Sequence, residues 1–194
     1  MKADDIIKYW EERSKKQGER TVGYGGDTLQ SQDTDYEEVF SFVMPNIDCS
    51  LPTLDYGCGI GRYTKFFDSK NYLGVDITKS LLDIARDRNP DYYYKLLSAP
   101  YMHDLSLGFQ PKNIITATVL QHNPDEVVSS IIDWFKMMSP EHIYLYENTA
   151  NKSNSNHMCF RSIQEYKSIV DWDMAYAHSH IVRNEQHTLM RFDK

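Results

Sequence analysis

Leu54-Asp55-Tyr56-Gly57-Cys58-Gly59-Ile60-Gly61 decides how this chain of 194 residues is read. An apolar run ends in an acid, and glycines then stand at every second position. Glycine adopts positive φ without steric cost and lets a backbone come close to a ligand. The pattern predicts a strand over 51–56, a tight glycine loop, and a helix over 60–69 whose first N–H groups face the same space. Tyr72-Leu73-Gly74-Val75-Asp76 follows as a short buried strand that ends in a second acid. A carboxylate there can accept hydrogen bonds from the two vicinal hydroxyls of a ribose, so a ribose-bearing cofactor is implied. The spacing narrows the choice. A dinucleotide fingerprint is G-x-G-x-x-G, and its third glycine would fall where Arg62 stands.

Outward from this stretch, strands and helices alternate. Residues 3–17 predict a helix with Ile6, Ile7 and Trp10 on one face, and with Glu11/Lys15 and Glu12/Lys16 as i,i+4 pairs. Residues 18–32 are the least regular, with Gly18, Gly23, Gly25 and Gly26 around Tyr24, and read as a linker or a mobile lid. A second helix is expected from Thr34, where Thr34 and Glu37 form a capping-box pair, to Pro45. Thr78 can cap a helix carrying Leu81, Leu82 and Ala85. Residues 91–97 and 113–120 read as the third and fourth strands. Asn123-Pro124-Asp125-Glu126 predicts a helix start, with Asn123 as cap, followed by Val127, Val128, Ile131, Ile132, Phe135 and Met138 at helical period. A fifth strand over 142–147 and a helix over 161–170 come next, and the last twenty residues read as two strands.

The alternation implies an α/β fold: a doubly wound, mostly parallel seven-stranded sheet with helices on both faces and a C-terminal antiparallel hairpin. The chain reads as one domain, with N-terminal helices and lid over 1–48 and a cofactor-binding core over 49–194. In such sheets the ligand lies beyond the carboxyl ends of the strands, where strand order reverses.

Composition excludes some functions. Asp and Glu number 28 against 21 Lys and Arg, for a net charge of -7. This argues against a broad nucleic-acid face, which needs clustered cations, while leaving room for a local basic groove. Cys49, Cys58 and Cys159 lie far apart without metal-ligand spacing. They read as reduced thiols, and no metal is expected. No apolar run approaches the roughly 20 residues that span a bilayer. The acidic start Met1-Lys2-Ala3-Asp4-Asp5 lacks the pattern of a secretory signal. The expectation is a cytoplasmic protein without a membrane partner.

The G-x-G-x-G run with Asp55 two residues before it resembles motif I of the class I, Rossmann-like S-adenosylmethionine-dependent methyltransferases. Residues 72–77 resemble their second motif, and the resemblance runs over most of 50–150. It implies S-adenosylmethionine as methyl donor and S-adenosylhomocysteine as product. Carried over residue by residue, Asp55, Gly57, Gly59 and Gly61 hold the methionine part, Asp76 binds ribose, and Ile77 packs on adenine. Ser98, with Asp104 behind it, stands where the family often places a polar group near the adenine amine. Val119-Leu120-Gln121-His122 fits the family's aliphatic, polar, His pattern after the fourth strand, with Leu120 and Gln121 beneath the sulfonium. His122 is the first candidate base and Glu147 the second. The plainer readings are a turn-stabilising histidine and a strand-end surface acid.

The resemblance also implies a lid from Tyr9, Trp10, Arg13 and Tyr24, in which Trp10 and Tyr24 face the cofactor and Tyr9 the acceptor. Trp10 read without it is an anchor for its helix. His157, Phe160 and Arg161 follow the fifth strand towards the acceptor. Arg161 can pair with a carboxylate or phosphate, or stand as a surface residue at a helix start.

The acceptor is narrowed by what is missing. Amino-methylating DNA enzymes resemble one another in an Asp/Asn-Pro-Pro-aromatic motif, and this chain has Gln121-His122-Asn123-Pro124 there. No Pro-Cys pair offers a nucleophile for cytosine C5 chemistry. The paired-glutamate loop of protein arginine methyltransferases is not recognisable. A small-molecule acceptor remains. An RNA, nucleotide or protein acceptor, and a non-catalytic cofactor-binding module, are the alternatives. Oligomeric state is not legible.

Overall fold

In the computed structural model, residues 3–17, 21–22, 29–101, 107–150 and 158–194 are described. Strands β1 (Thr53–Tyr56), β2 (Tyr72–Asp76), β3 (Tyr93–Leu96), β4 (Asn113–Ala117), β5 (His142–Asn148), β6 (Asp173–Val182) and β7 (Glu185–Asp193) make one sheet. Its order is β3-β2-β1-β4-β5-β7-β6. Pairs from β3 through β5 are parallel, and β7 runs antiparallel to both β5 and β6. The chain steps outward from β1 through β2 to β3, then returns to lay β4 on the other side of β1. That reversal opens a crevice beyond the carboxyl ends of β1 and β4. The hairpin of β6 and β7 closes in two residues, Arg183 (φ 48°) and Asn184 (φ 63°), both left-handed. Such a turn matches the right-handed twist of the flanking strands.

Helices α1 (Ala3–Gln17), α2 (Leu29–Val43), α3 (Lys79–Arg88), α4 (Asp125–Met137) and α5 (Ile163–Val170) surround the sheet. The period of two along a strand divides the core into two layers. From β5, Ile143 and Leu145 join α4 residues Val128, Ile131, Ile132 and Phe135 and α5 residues Tyr166 and Val170. Tyr144 and Tyr146 point the other way, into the layer of Val39, Phe40 and Val43 from α2. Among the described residues, no helix is long and apolar enough to cross a membrane.

Four local expectations are corrected. No α-helix forms over 60–69. Two short 3-10 turns, Thr64–Phe66 and Ser69–Asn71, lead to β2 instead. Tyr63 and Phe67 are buried with α2, and the Thr64 hydroxyl is drawn to the Tyr72 hydroxyl at 3.1 Å. Aromatic and β-branched residues here gain more from these contacts than from a helix they form poorly. Helix α2 starts at Leu29, so Thr34 lies inside it rather than at its cap. No Gly or Pro stands between Leu29 and Pro45 to interrupt helical hydrogen bonding. Pro124, not Asn123, is the N-cap of α4, because the Asn123 amide donates back to the Val119 carbonyl at 2.9 Å. Strand β4 ends at Ala117, where Thr118 takes a left-handed φ of 56°.

Candidate functional site

The glycine loop is held by the neighbouring strand. The N–H groups of Gly57 and Cys58 both donate to the Val75 carbonyl, at 2.8 and 3.0 Å. Gly57, Gly59 and Gly61 have φ of 72°, 54° and 72°. A Cβ on Gly57 would lie 2.4 Å from Val119 Cγ2, so this glycine lets β1 and the turn after β4 close on each other. Gly61 faces the Tyr94 hydroxyl, and neither it nor a following helix terminus presents N–H groups to the crevice.

Two buried acids end β1 and β2. Asp55 accepts from the Tyr72 hydroxyl at 2.7 Å, and burial pushes its carboxyl up to about 7. Asp76 accepts from Gly59 N–H at 2.9 Å on one oxygen and from Thr78 N–H at 2.8 Å on the other. Burial raises its pKa too, opposed by those backbone bonds. Asp76 therefore fixes the glycine loop as well as facing the cavity.

The turn after β4 is clamped from both sides by opposite charges. Glu147 is fully buried, and it accepts from the N–H groups of Val119 (3.1 Å), Leu120 (2.9 Å) and Gln121 (3.2 Å). Burial pushes its carboxyl up to about 7, against the pull of these bonds and of Arg161. Arg161 donates to the carbonyls of Leu120 (3.0 Å), Asn123 (2.6 Å) and Cys159 (3.2 Å), and to Asp125 (2.8 Å). Both residues sit behind the turn and outside the cavity wall. Neither reading of Glu147 holds: it is neither exposed at a strand end nor facing the cavity. The Arg161 guanidinium is likewise consumed by the turn rather than turned to an acceptor. The Gln121 side chain completes the brace by accepting from Asn148 N–H at 2.9 Å.

A cavity of about 490 Å³ fills the crevice. Asp55, Gly57, Gly59, Asp76, Ile77, Gln121, His122, Trp10 and Tyr9 all line it. Ser98 is exposed in the loop after β3, and the Leu120 side chain is turned into the core, so neither is in the wall. Tyr24, Asp104 and His157 lie outside the described residues. The Trp10 ring meets His122 edge-on at 5.0 Å, and Arg13 donates to the Tyr9 hydroxyl at 3.0 Å. Helix α1 is fastened over the crevice by Glu11, which accepts from Lys79 N–H at 2.5 Å and the Ser80 hydroxyl at 3.3 Å. Glu11 thus caps α3 from a distance, while the Thr78 hydroxyl makes no cap bond.

Sequence reasoning missed the opposite wall. Tyr36, Arg62, Tyr63, Asn148, Arg183, Glu185 and His187 all reach the cavity. They come from α2, from the turn after the glycine loop, from the end of β5, and from the hairpin tip and the start of β7. The pair Arg183-Asn184 between two strands was the one local signal of a tight tip. Nothing local marks Tyr63.

No curated protein sequence matches the chain. Residues 54–139 match the model of the methyltransferase domain family. Among solved structures, the magnesium protoporphyrin IX methyltransferase of Synechocystis with bound SAH aligns over 98% of this chain and 99% of its own, at 14% identity and a TM-score of 0.72. A SAM-dependent methyltransferase of Anabaena variabilis aligns over 97% and 95%, at 15% identity and a TM-score of 0.71. Phosphoethanolamine N-methyltransferase 1 of Haemonchus contortus, solved with phosphoethanolamine and S-adenosylhomocysteine, aligns over all of this chain and 50% of its own, at 15% identity and a TM-score of 0.70. Over residues 54–139 the chain is thus similar to a methyltransferase domain, and its sheet shares the fold of these solved structures.

Proposed function

We propose that this chain is an S-adenosylmethionine-dependent methyltransferase acting on a small-molecule acceptor. One observation carries the reading: a single cavity gathers the glycine loop, Asp76 and the Gln121-His122 turn under Trp10. Its residues fit a nucleoside with a methionine arm. The N–H groups of Gly59 and Thr78 hold opposite oxygens of Asp76 and so orient its carboxylate in the cavity wall, where it suits a ribose. Ile77 and Leu97 offer an apolar wall to adenine. Asp55 lies beside the loop, where a carboxylate suits an ammonium.

When bound, the cofactor supplies a sulfonium methyl that is already electrophilic. The protein has to orient an acceptor in line with that methyl and keep water out. Trp10 and α1 cover the crevice, and the clamp of Glu147 and Arg161 fixes the backbone that carries His122. His122 stands at the cavity wall as the candidate base for the acceptor's proton. A small acceptor is supported by the enclosure of the site between α1, α2 and the hairpin tip. Similar structures bear the names of enzymes acting on magnesium protoporphyrin IX and phosphoethanolamine.

Calorimetric titration of S-adenosylhomocysteine into the folded protein tests the donor; absence of binding at millimolar ligand sinks the reading. A screen of small molecules with labelled donor then tests the acceptor class. With an acceptor in hand, His122→Ala should lower turnover about 100-fold, more than it weakens cofactor binding. An unaltered rate removes His122 from the mechanism.

A further inference from the structure

The third glycine of the loop does nothing for the cavity. Gly61 lies outside its wall, yet shares the left-handed φ of Gly57 and Gly59. What it faces is a row of hydroxyls. A Cβ on Gly61 would lie 2.8 Å from the Tyr94 hydroxyl and 3.0 Å from Thr64 Oγ1. Gly74, which pairs with Tyr94 across β2 and β3, makes room for the ring. A Cβ there would lie 2.7 Å from Tyr94 Cδ1. Two glycines thus let one tyrosine reach the back of the loop.

The row leads to Asp55. The Tyr72 hydroxyl lies 2.7 Å from Asp55 Oδ2, the Thr64 hydroxyl 3.1 Å from that of Tyr72, and the Tyr94 hydroxyl 2.9 Å from Thr64. Asn89 meets the Tyr94 hydroxyl at the far end. Asp55, Tyr72 and Thr64 are buried, and Tyr94 is half-buried. Proton count fixes the direction. A carboxylate only accepts, and each hydroxyl has one proton to give. With Asp55 ionised, Tyr72 spends its proton on Asp55 and Thr64 spends its own on Tyr72. Thr64 is then left to accept from Tyr94. All three donors point the same way, and such chains strengthen one another. Tyr72, Thr64 and Tyr94 lie outside the cavity wall while Asp55 is in it, so the chain reaches the acid from behind.

Other surroundings of Asp55 work against its anion. Burial and Asp76 at the end of β2 oppose ionisation, and the Tyr72 hydroxyl favours it. Cys58 in the loop, Tyr63 in the turn and Tyr94 on β3 also feel its charge, and all three hold their protons well above neutrality. Around the rest of the cavity stand Arg13, Arg62, His122, Arg183, Glu185 and His187.

We infer that Tyr72, Thr64 and Tyr94 are positioning residues for the cofactor's ammonium, acting through Asp55: their hydroxyls hold its carboxylate as an anion in the cavity wall. This rests on the methyl-transfer reading, in which Asp55 receives that ammonium.

The test is calorimetry of S-adenosylhomocysteine binding to the whole chain from about pH 6 to about pH 9. Methylthioadenosine is titrated alongside, because it keeps the nucleoside and thioether and lacks the amino-acid head. Tyr72→Phe keeps the ring and removes the donor. Loss of one hydrogen bond to a carboxylate moves its ionisation by about one pH unit. The pH at which affinity levels off should therefore move from about 7 to about 8. At about pH 7 the variant should bind S-adenosylhomocysteine about five-fold more weakly, and at about pH 9 as well as wild type. Thr64→Val should act in the same direction and more weakly, and Thr64→Ser, which keeps the hydroxyl, should match wild type. Methylthioadenosine should bind all of them alike. The Thr64 pair carries the test if Tyr72→Phe does not fold. If the variants keep the wild-type pH profile, or weaken both ligands equally at every pH, the inference is overturned alone. If S-adenosylhomocysteine does not bind the wild-type chain, the methyl-transfer reading falls and this inference with it.

Discussion

Asp76 has two tasks at once. Its carboxylate ties the glycine loop to the start of α3, and it faces the cavity where ribose hydroxyls are proposed to bind. Asp76→Ala should weaken S-adenosylhomocysteine binding about 100-fold, since ligand hydroxyls and two backbone donors all lose a charged acceptor. Affinity within a factor of about two of wild type would refute the ribose assignment. Asp55 makes a different prediction. Burial holds its carboxyl at about 7, so near neutrality much of it is protonated in the cofactor-free protein. An ammonium placed beside it favours the ionised form and lowers that pKa. Cofactor binding should therefore release a proton at about pH 6.5, and affinity should rise with pH up to about 7 and then level off. Calorimetry in buffers of different ionisation enthalpy reads the proton directly; equal heats in all buffers would exclude the pairing.

At the scale of elements, the turn over 119–123 depends on groups far away in sequence. Glu147 supplies its acceptors and Arg161 its donors. Glu147→Ala would leave three backbone N–H groups without their acceptor, and should cost about 3 kcal/mol or more of stability. A residue acting only as a base would leave the denaturant midpoint unchanged, so chemical unfolding separates the two roles. Glu11 does similar work for α3, in place of the expected local cap at Thr78. Glu11→Ala should cost about 1 kcal/mol, as loss of a helix cap does, and should loosen α1 over the cavity. Faster amide exchange at the start of α3, with the rest of the sheet unchanged, is the expected signature.

For the whole molecule, the buried acids set a pH dependence. Asp55 and Glu147 both keep their protons to about 7, and Asp76 is also raised. The unfolded chain releases the same protons near the usual carboxylate values. Between about pH 4 and 7 the native state thus binds more protons, and stability falls as pH rises through that window. The cofactor-free protein should melt several degrees lower at about pH 8 than at about pH 5.5. A melting temperature that climbs over this range would show that these carboxyls are ionised and paired in the native state.

What is legible along the chain is what depends on near neighbours. The period of two in β5, the period of 3.6 in α4, the glycine spacing and the acids ending β1 and β2 all express local backbone geometry. The seven strands, their mostly parallel run, the C-terminal hairpin and the glycine-loop wall of the cavity were legible on that account. Which polar groups meet is settled by the packing of segments distant in the chain. That packing spends Glu147 and Arg161 on a turn, sets Glu11 on a distant helix end, replaces the helix after Gly61 by aromatic contacts, and brings Arg62, Tyr63 and Arg183 to one wall. Burial and hydrogen-bond partnership are properties of contacts between distant segments, and no spacing along the chain encodes them. The glycine loop is therefore readable along the chain, while the wall opposite it exists only in the juxtaposition of α2 with the hairpin tip.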